Sequence, residues 1–247
     1  MLTKLRKPFC ICLCSIVIFS TFKPLVTAAQ DTTFSRPPVI DSWEKYNNGV
    51  KTDSTQAMVE LKTLIPNLEY DLRYASLNNF MHRLMYPAGT KVTFLRRPAA
   101  RQLQQVQTEL ATQGFGLKIF DAYRPYAVTV LFWELVKDER YVANPSKGSG
   151  HNRGIAVDLT IIDLETKKEL DMGTGFDNFT DSAHLDFKNL SADVLKNRNL
   201  LRSLMEKHGF VPLETEWWHY YLPNSNRFDV LDIPFTRFQR KQKSTNP

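Results

Sequence analysis

Beyond residue 14 the chain contains no cysteine: all three, Cys10, Cys12 and Cys14, lie inside an apolar N-terminal run. Whatever folds downstream therefore holds together without a disulfide, even in an oxidising compartment. Long hydrophobic stretches are equally scarce. The one candidate, Phe9 to Phe22, is short for a membrane span. It is preceded by Lys4, Arg6 and Lys7 and followed by Val26 and Ala28 at the −3 and −1 positions of a cleavage site. That is the layout of a secretory signal peptide over residues 1–28, the alternative being an uncleaved anchor helix. No cysteine carries the small-residue pattern of a lipoprotein site, so the expectation is a soluble exported protein, periplasmic, with no stable membrane span after cleavage. Repeats and low-complexity tracts are absent.

The formal net charge of +6 also shrinks on this reading. The leader holds four basic residues (with Lys23) and no acid, so the rest of the chain carries about +2, which gives no argument for nucleic acid. Part of that excess sits in the tail RFQRKQKSTNP, expected to be disordered over 236–247. About 200 residues are ample for one domain with a sizeable core.

Residues 29–60, with Pro37-Pro38 and Asn47-Asn48-Gly49, read as an extended lead-in to a domain over 61–235. Pro98 opens a helix with Leu103, Val106 and Leu110 as its stripe and Gly114 at its end. Leu117 to Tyr123 is a strand candidate, and after Pro125 a second helix runs to about Asp138, with Val128, Leu131, Phe132 and Leu135 expected inward. Ile155 to Ile162 is a buried strand and Asp163 to Lys168 a turn. GTGFDNFTDSAHLDF (173–187) is a long loop of the kind that often carries function. A helix from Ser191 or Asp193 to His208 and a hairpin about Glu214-Thr215 complete the chain. Helices and strands in separate blocks predict an α+β fold: a single domain with a central, mainly antiparallel sheet, helices packed to one side and the site at the sheet.

Chemistry concentrates in SGHNRGIAVDLT (149–160). Asp158 falls inside a strand that should exclude charge, and an unpaired buried carboxylate costs several kcal/mol or gives up its charge. His151, returned by a turn at Gly154, points to a metal as the compensating cation. A catalytic zinc takes three such ligands and keeps a position open. EWWHYY (216–221) offers His219 as the third. A hydrolytic metal site also needs a carboxylate near the metal but not on it, and Glu216 is the candidate. Strict strand alternation would turn Glu216 away from His219, so the assignment requires a bend at Glu216-Trp217. Two core histidines with ordinary partners remain the alternative at this point. His82 and His208 read as surface or helix-end residues, and His184, in the long loop, as a structural hydrogen-bonding residue.

SGHNRGIAVDLT resembles the Ser-x-His-x-x-Gly-x-Ala-x-Asp-Leu motif of the zinc D-alanyl-D-alanine dipeptidases, the family that includes the vancomycin-resistance dipeptidases. YDLRYASLNNF, GFGLKIFDAYRP, MGTGFDNF and EWWHYYL match in family order, so the resemblance runs from about Tyr70 to Leu222. It implies one zinc on His151, Asp158 and His219, with Glu216 as general base and proton donor. Arg124 corresponds to the arginine that steadies the oxyanion. Asp177, Ser149 and Tyr74 correspond to the groups that hold the ammonium of a small dipeptide substrate. Without the resemblance, Arg124 reads as a surface salt bridge and Asp177 as a loop cap. The loop before Ser149 is shorter than in the resistance-type enzymes, which puts enclosure and selectivity in question. The implied activity is hydrolysis of D-Ala-D-Ala. The alternatives are a D,D-carboxypeptidase acting on peptidoglycan stems and a non-catalytic zinc domain that binds peptidoglycan.

Overall fold

The apolar run at 155–162 becomes the strand on which the rest is assembled. In the computed structural model, which describes residues 35–239, the elements follow in order as β1 (Val39–Ile40), α1 (Trp43–Thr52), β2 (Met58–Glu60), α2 (Leu61–Leu64) and β3 (Glu69–Tyr70). Then come β4 (Phe94–Arg96), α3 (Arg97–Ala111), β5 (Phe115–Asp121), α4 (Tyr126–Val136) and β6 (Ala156–Asp163). The chain finishes with α5 (Ala192–Lys207), β7 (Val211–Leu213), β8 (Glu216–Tyr221) and β9 (Val230–Leu231). Five strands form one sheet in the order β3-β5-β6-β8-β7, antiparallel except for β3 on β5. Helices α3 and α5 pack on each other and on this sheet. The fold is the expected α+β domain with a mainly antiparallel sheet.

Strand β6 occupies the centre, and all its residues but Asp163 are buried. Leu159 and Ile161 pair with Ile119 and Leu117 of β5, and all four are fully buried in the core. Burial of each such side chain is worth about 1.5–3 kcal/mol. A charged residue at position 158 is therefore held in place by a strand that has strong reasons to lie where it does.

The loop entering β6 is pinned from two directions. Gly154 adopts φ +69° and its N–H bonds the His151 carbonyl at 3.0 Å, the turn that the sequence placed here. Behind it lies Arg96, almost wholly buried, whose guanidinium donates to the carbonyls of Arg153, Gln56 and Asp229. Those three carbonyls come from distant parts of the chain, so one side chain joins the lead-in, the site loop and the segment before β9.

Three expectations are corrected here. The described part of 29–60 is not an extended lead-in. Ser42 caps α1, and Tyr46 is buried with its hydroxyl accepting the Met58 N–H at 2.7 Å. Tyr46 also meets Phe238 edge-on at 5.3 Å, and 235–239 is helical, so the domain starts before residue 61 and runs past 235. A single buried anchor leaves no periodic stripe to read, and the packing overrides Asn47-Asn48-Gly49. Within α4 the inner face is Tyr126, Val128, Thr129 and Phe132, whereas Leu131 and Leu135 are 38% and 60% exposed. That helix is apolar nearly all round, so its periodicity does not choose a face. The expected leader (1–28) and most of the basic tail lie outside the described residues. Among those described, no helix is long and apolar enough to cross a membrane.

The left-handed turn at Gly154 yields a direct test. Gly154→Ala is expected to cost at least about 1–2 kcal/mol in denaturant unfolding, the penalty of an L side chain at positive φ. A further cost arises because the added Cβ would meet the buried Met58 side chain at 2.7 Å. Gly175, where an added Cβ meets nothing and φ is ordinary, is the control. Its alanine variant should unfold within about 0.5 kcal/mol of the parent.

Candidate metal and peptide site

Pairing of β6 with β8 sets Asp158 opposite His219, which puts a carboxylate and an imidazole on neighbouring strands at one level. The Gly154 turn carries His151 back over them. His219 Nδ1 lies 2.9 Å from Asp158 Oδ1, and His151 Nε2 lies 3.4 Å from Asp158 Oδ2 and 3.3 Å from His219 Nδ1. One donor atom from each residue falls within 4.8 Å of the others. The three candidate ligands that the sequence singled out are thus brought together, an arrangement that a shared metal site requires and two unrelated core histidines would not.

Their protonation fits a metal. His151 Nδ1 sits 2.7 Å from the Ala122 carbonyl, which can only accept, so Nδ1 carries the proton and Nε2 presents its lone pair. Burial pushes the His219 imidazole down, toward the neutral form that metal binding needs. Burial works against the Asp158 carboxylate, but the neighbouring His151 and His219 outweigh it and hold it below the usual range. Two imidazoles and one carboxylate, all turned to one point, form a donor set suited to a catalytic zinc.

Glu216 arrives through a break in the ladder. Pro212 pairs with Tyr220, but the next residue, Leu213, pairs with Glu216, so Trp217 to His219 bulge out of register. This is the bend that strict alternation lacked. It brings Glu216 Oε2 to 3.9 Å from His219 Nδ1. The carboxyl is buried, and burial, reinforced by Asp158 and Asp177, pushes its pKa well up.

Arg124 follows β5 and is no surface residue. Its main-chain N–H bonds the His151 carbonyl at 3.2 Å, and its guanidinium lies over the packed rings of Phe132 and Tyr74, 4.7 and 5.3 Å from their centroids. Its Nη2 is 2.8 Å from Asp121 Oδ2 and 3.8 Å from Asp158 Oδ2. Asp177, on the 173–187 loop at φ +60°, accepts the Tyr74 hydroxyl on Oδ1 at 3.0 Å, while its Oδ2 is buried without a partner. Burial, with the Asp158 charge behind it, pushes this carboxyl up to about 8. Ser149 is buried beside the ligand loop, its Oγ accepting the His151 N–H at 3.1 Å. Tyr74, Arg124, Ser149, Asp177 and Glu216 line one cavity of about 520 Å³ with His151, Asp158 and His219.

Two supporting residues escaped the sequence analysis. Asp121 is fully buried, takes the Tyr86 hydroxyl at 2.6 Å and the Arg124 Nε–H at 2.9 Å, and so fixes the guanidinium. The argument applied to Asp158, a carboxylate inside an apolar strand, applies equally to IFDAY and would have found it. Asn152 donates to the Arg124 carbonyl and to Thr129 Oγ1, both at 2.8 Å, and accepts the Ser149 N–H at 3.0 Å. Nothing in its position within the motif signals that role.

Comparison with known proteins agrees with this geometry. The family described as D-ala-D-ala dipeptidase, peptidase M15, matches residues 54–241. The D-alanyl-D-alanine dipeptidase of Escherichia coli (strain K12) is 34% identical over 187 residues, covering 76% of this chain and 95% of that protein. The enzyme of the same name from Enterococcus faecium is 31% identical over 67% of this chain and 93% of its own length. That from Streptomyces coelicolor is 31% identical over 69% and 94%. Among solved structures, that of the LdcB LD-carboxypeptidase overlaps 74% of this chain and 77% of its own at 19% identity and a TM-score of 0.39, too distant for anything to rest on it. With a match that begins ahead of β2 and continues past β9, this chain belongs to the D-Ala-D-Ala dipeptidase family of peptidases.

Proposed function

We propose that this protein is a zinc dipeptidase that hydrolyses D-Ala-D-Ala to two D-alanines after export to the periplasm. The observation that carries the reading is the pairing, in one cavity, of a three-ligand donor set with an unpartnered buried carboxylate oxygen on Asp177. His151, Asp158 and His219 would hold the zinc, which supplies Lewis acidity: it polarises a carbonyl and lowers the pKa of a water from 15.7 toward about 7.

The chain's own residues do the rest. Glu216, its carboxylate made more basic by burial, takes a proton from the attacking water and returns one to the leaving amine, a role worth roughly 10²- to 10⁴-fold. Arg124, already oriented by Asp121, faces the negative charge that develops on the scissile carbonyl oxygen. Loss of such a group costs about 3–4 kcal/mol in comparable sites. Asp177 Oδ2 takes the substrate ammonium while Tyr74 holds the other oxygen, and Ser149 adds a hydroxyl at the cavity wall.

The same Asp177 speaks against a D,D-carboxypeptidase, whose acylated substrate brings no ammonium and would leave the carboxylate buried and unpaired. Glu216 and Arg124 beside the ligands speak against a silent peptidoglycan-binding domain. The basic and apolar leader at 1–28 supports export. An exported enzyme fits recovery of cell-wall dipeptide as a nutrient, because depletion of a cytoplasmic precursor pool needs an enzyme inside the cell.

Three measurements test this reading. Glu216→Gln should retain one zinc per chain by metal analysis and lose about 10²-fold or more in kcat; normal turnover would remove Glu216 from the mechanism. Free D-Ala-D-Ala should be cleaved in preference to its N-acetyl derivative, and the reverse order would favour the carboxypeptidase. Asp177→Asn should abolish dipeptide cleavage yet stabilise the metal-free protein in alkaline solution. An acid whose folded pKa is raised binds its proton more tightly in the native state. Its contribution to stability is full below the unfolded value near 4 and is lost as pH rises through about 8. The Tm advantage of Asp177→Asn should therefore grow from about pH 4 to about pH 8 and then level off; a pH-independent difference would contradict the burial of this group.

A further inference from the structure

The cavity is larger than its simplest substrate. At about 520 Å³ it falls within the roughly 300–1,000 Å³ of sites that bury drug-sized ligands. A dipeptide with two methyl side chains, together with a water of about 30 Å³, leaves much of that space unfilled.

One wall of the surplus is a run of aromatic rings. Tyr74 packs on Phe132 with centroids 4.8 Å apart, Phe132 on Phe80 at 5.0 Å, Phe80 on Phe179 at 5.3 Å and Phe179 on Tyr141 at 4.9 Å. All five line the cavity. Phe132 is fully buried, its face occupied by Arg124, whereas Phe80, Phe179 and Tyr141 are only half-buried and present apolar surface to the opening. The run starts at Tyr74, the residue whose hydroxyl holds Asp177.

If Asp177 takes the substrate ammonium, as argued above, the Cα that bears the ammonium lies beside the first rings, and its side chain is the one that can reach Phe80 and Phe179. A methyl group leaves those rings in water, and a branched or aromatic side chain covers them. We propose that the aromatic wall formed by Phe80, Phe179 and Tyr141 is a subsite for a large apolar side chain on the N-terminal residue, so that this enzyme prefers dipeptides such as D-Leu-D-Ala and D-Phe-D-Ala to D-Ala-D-Ala. The reaction is the same hydrolysis: the peptide C–N bond breaks, the water oxygen joins the carbonyl carbon, and a proton goes to the departing amine.

The test measures kcat/KM of the zinc-loaded enzyme for D-Ala-D-Ala, D-Leu-D-Ala and D-Ala-D-Leu. The subsite predicts a value for D-Leu-D-Ala about tenfold above that for D-Ala-D-Ala, with no such gain for D-Ala-D-Leu. In Phe179→Ala, and in the milder Phe179→Leu and Phe80→Ala, the D-Leu-D-Ala to D-Ala-D-Ala ratio should fall toward one. Cleavage of D-Ala-D-Ala with no advantage for D-Leu-D-Ala overturns the subsite and leaves the dipeptidase reading intact. An equal gain for D-Ala-D-Leu, or an advantage that survives every one of these variants, overturns it as well. Cleavage of none of the three dipeptides overturns the dipeptidase reading itself.

Discussion

Three buried carboxyl groups, Asp121, Asp158 and Glu216, share one small region with a fourth, Asp177, that is half-buried with one oxygen fully enclosed, and a single buried guanidinium, Arg124, lies among them. Isolated ionised groups in such surroundings cost several kcal/mol each, so most of that negative charge has to be met by a cation, a proton or a donor. Arg124 meets Asp121 directly. Asp158 is met by two imidazoles whose inward nitrogens suit a divalent ion better than they suit each other. Asp177 takes a proton at ordinary pH when nothing else is bound. On the proposed reading this surplus of acid is met by one metal ion and one substrate ammonium.

Holding these groups in place falls to ordinary devices of fold architecture. Strand β6 fixes Asp158 by the burial of its apolar neighbours, and β8 fixes His219 by register. A left-handed glycine lets His151 return, and a bulge lets Glu216 share a side with His219. Arg124 and the loop that carries His151 are tied twice through the Arg124 main chain, by its N–H to the His151 carbonyl and by Asn152 to its carbonyl. A shift of either partner therefore moves the other. This fixed spacing is what electrostatic stabilisation of a developing charge requires.

Much of this was legible before any coordinates. Asp158 stood out because a carboxylate in an apolar strand demands an explanation, and Gly154 because a turn was needed between two ligands. The helices α3 and α5 were marked by Pro98, Gly114 and Ser191, and the α3 stripe of Leu103, Val106 and Leu110 agrees with the observed burial. What escaped was carried by tertiary contact alone. Helix α1 is held by Tyr46 against Phe238, far along the chain, so no local pattern announces it. The outer leucines of α4 could not be told from its inner face, because nearly every residue of that helix is apolar. The bulge at Trp217 to His219 was required by the chemistry but written in no turn residue. Asp121 was overlooked although the rule applied to Asp158 fitted it equally well.

The central claim is that the three inward-facing ligands share one zinc ion. X-ray absorption at the zinc edge, on protein purified without added metal, tests it most directly. The account predicts one zinc per chain with a first shell of two imidazole nitrogens and oxygen donors, reduced by one imidazole in His219→Ala. A zinc shell unchanged by that substitution, or protein that binds no zinc when the metal is supplied, would contradict it.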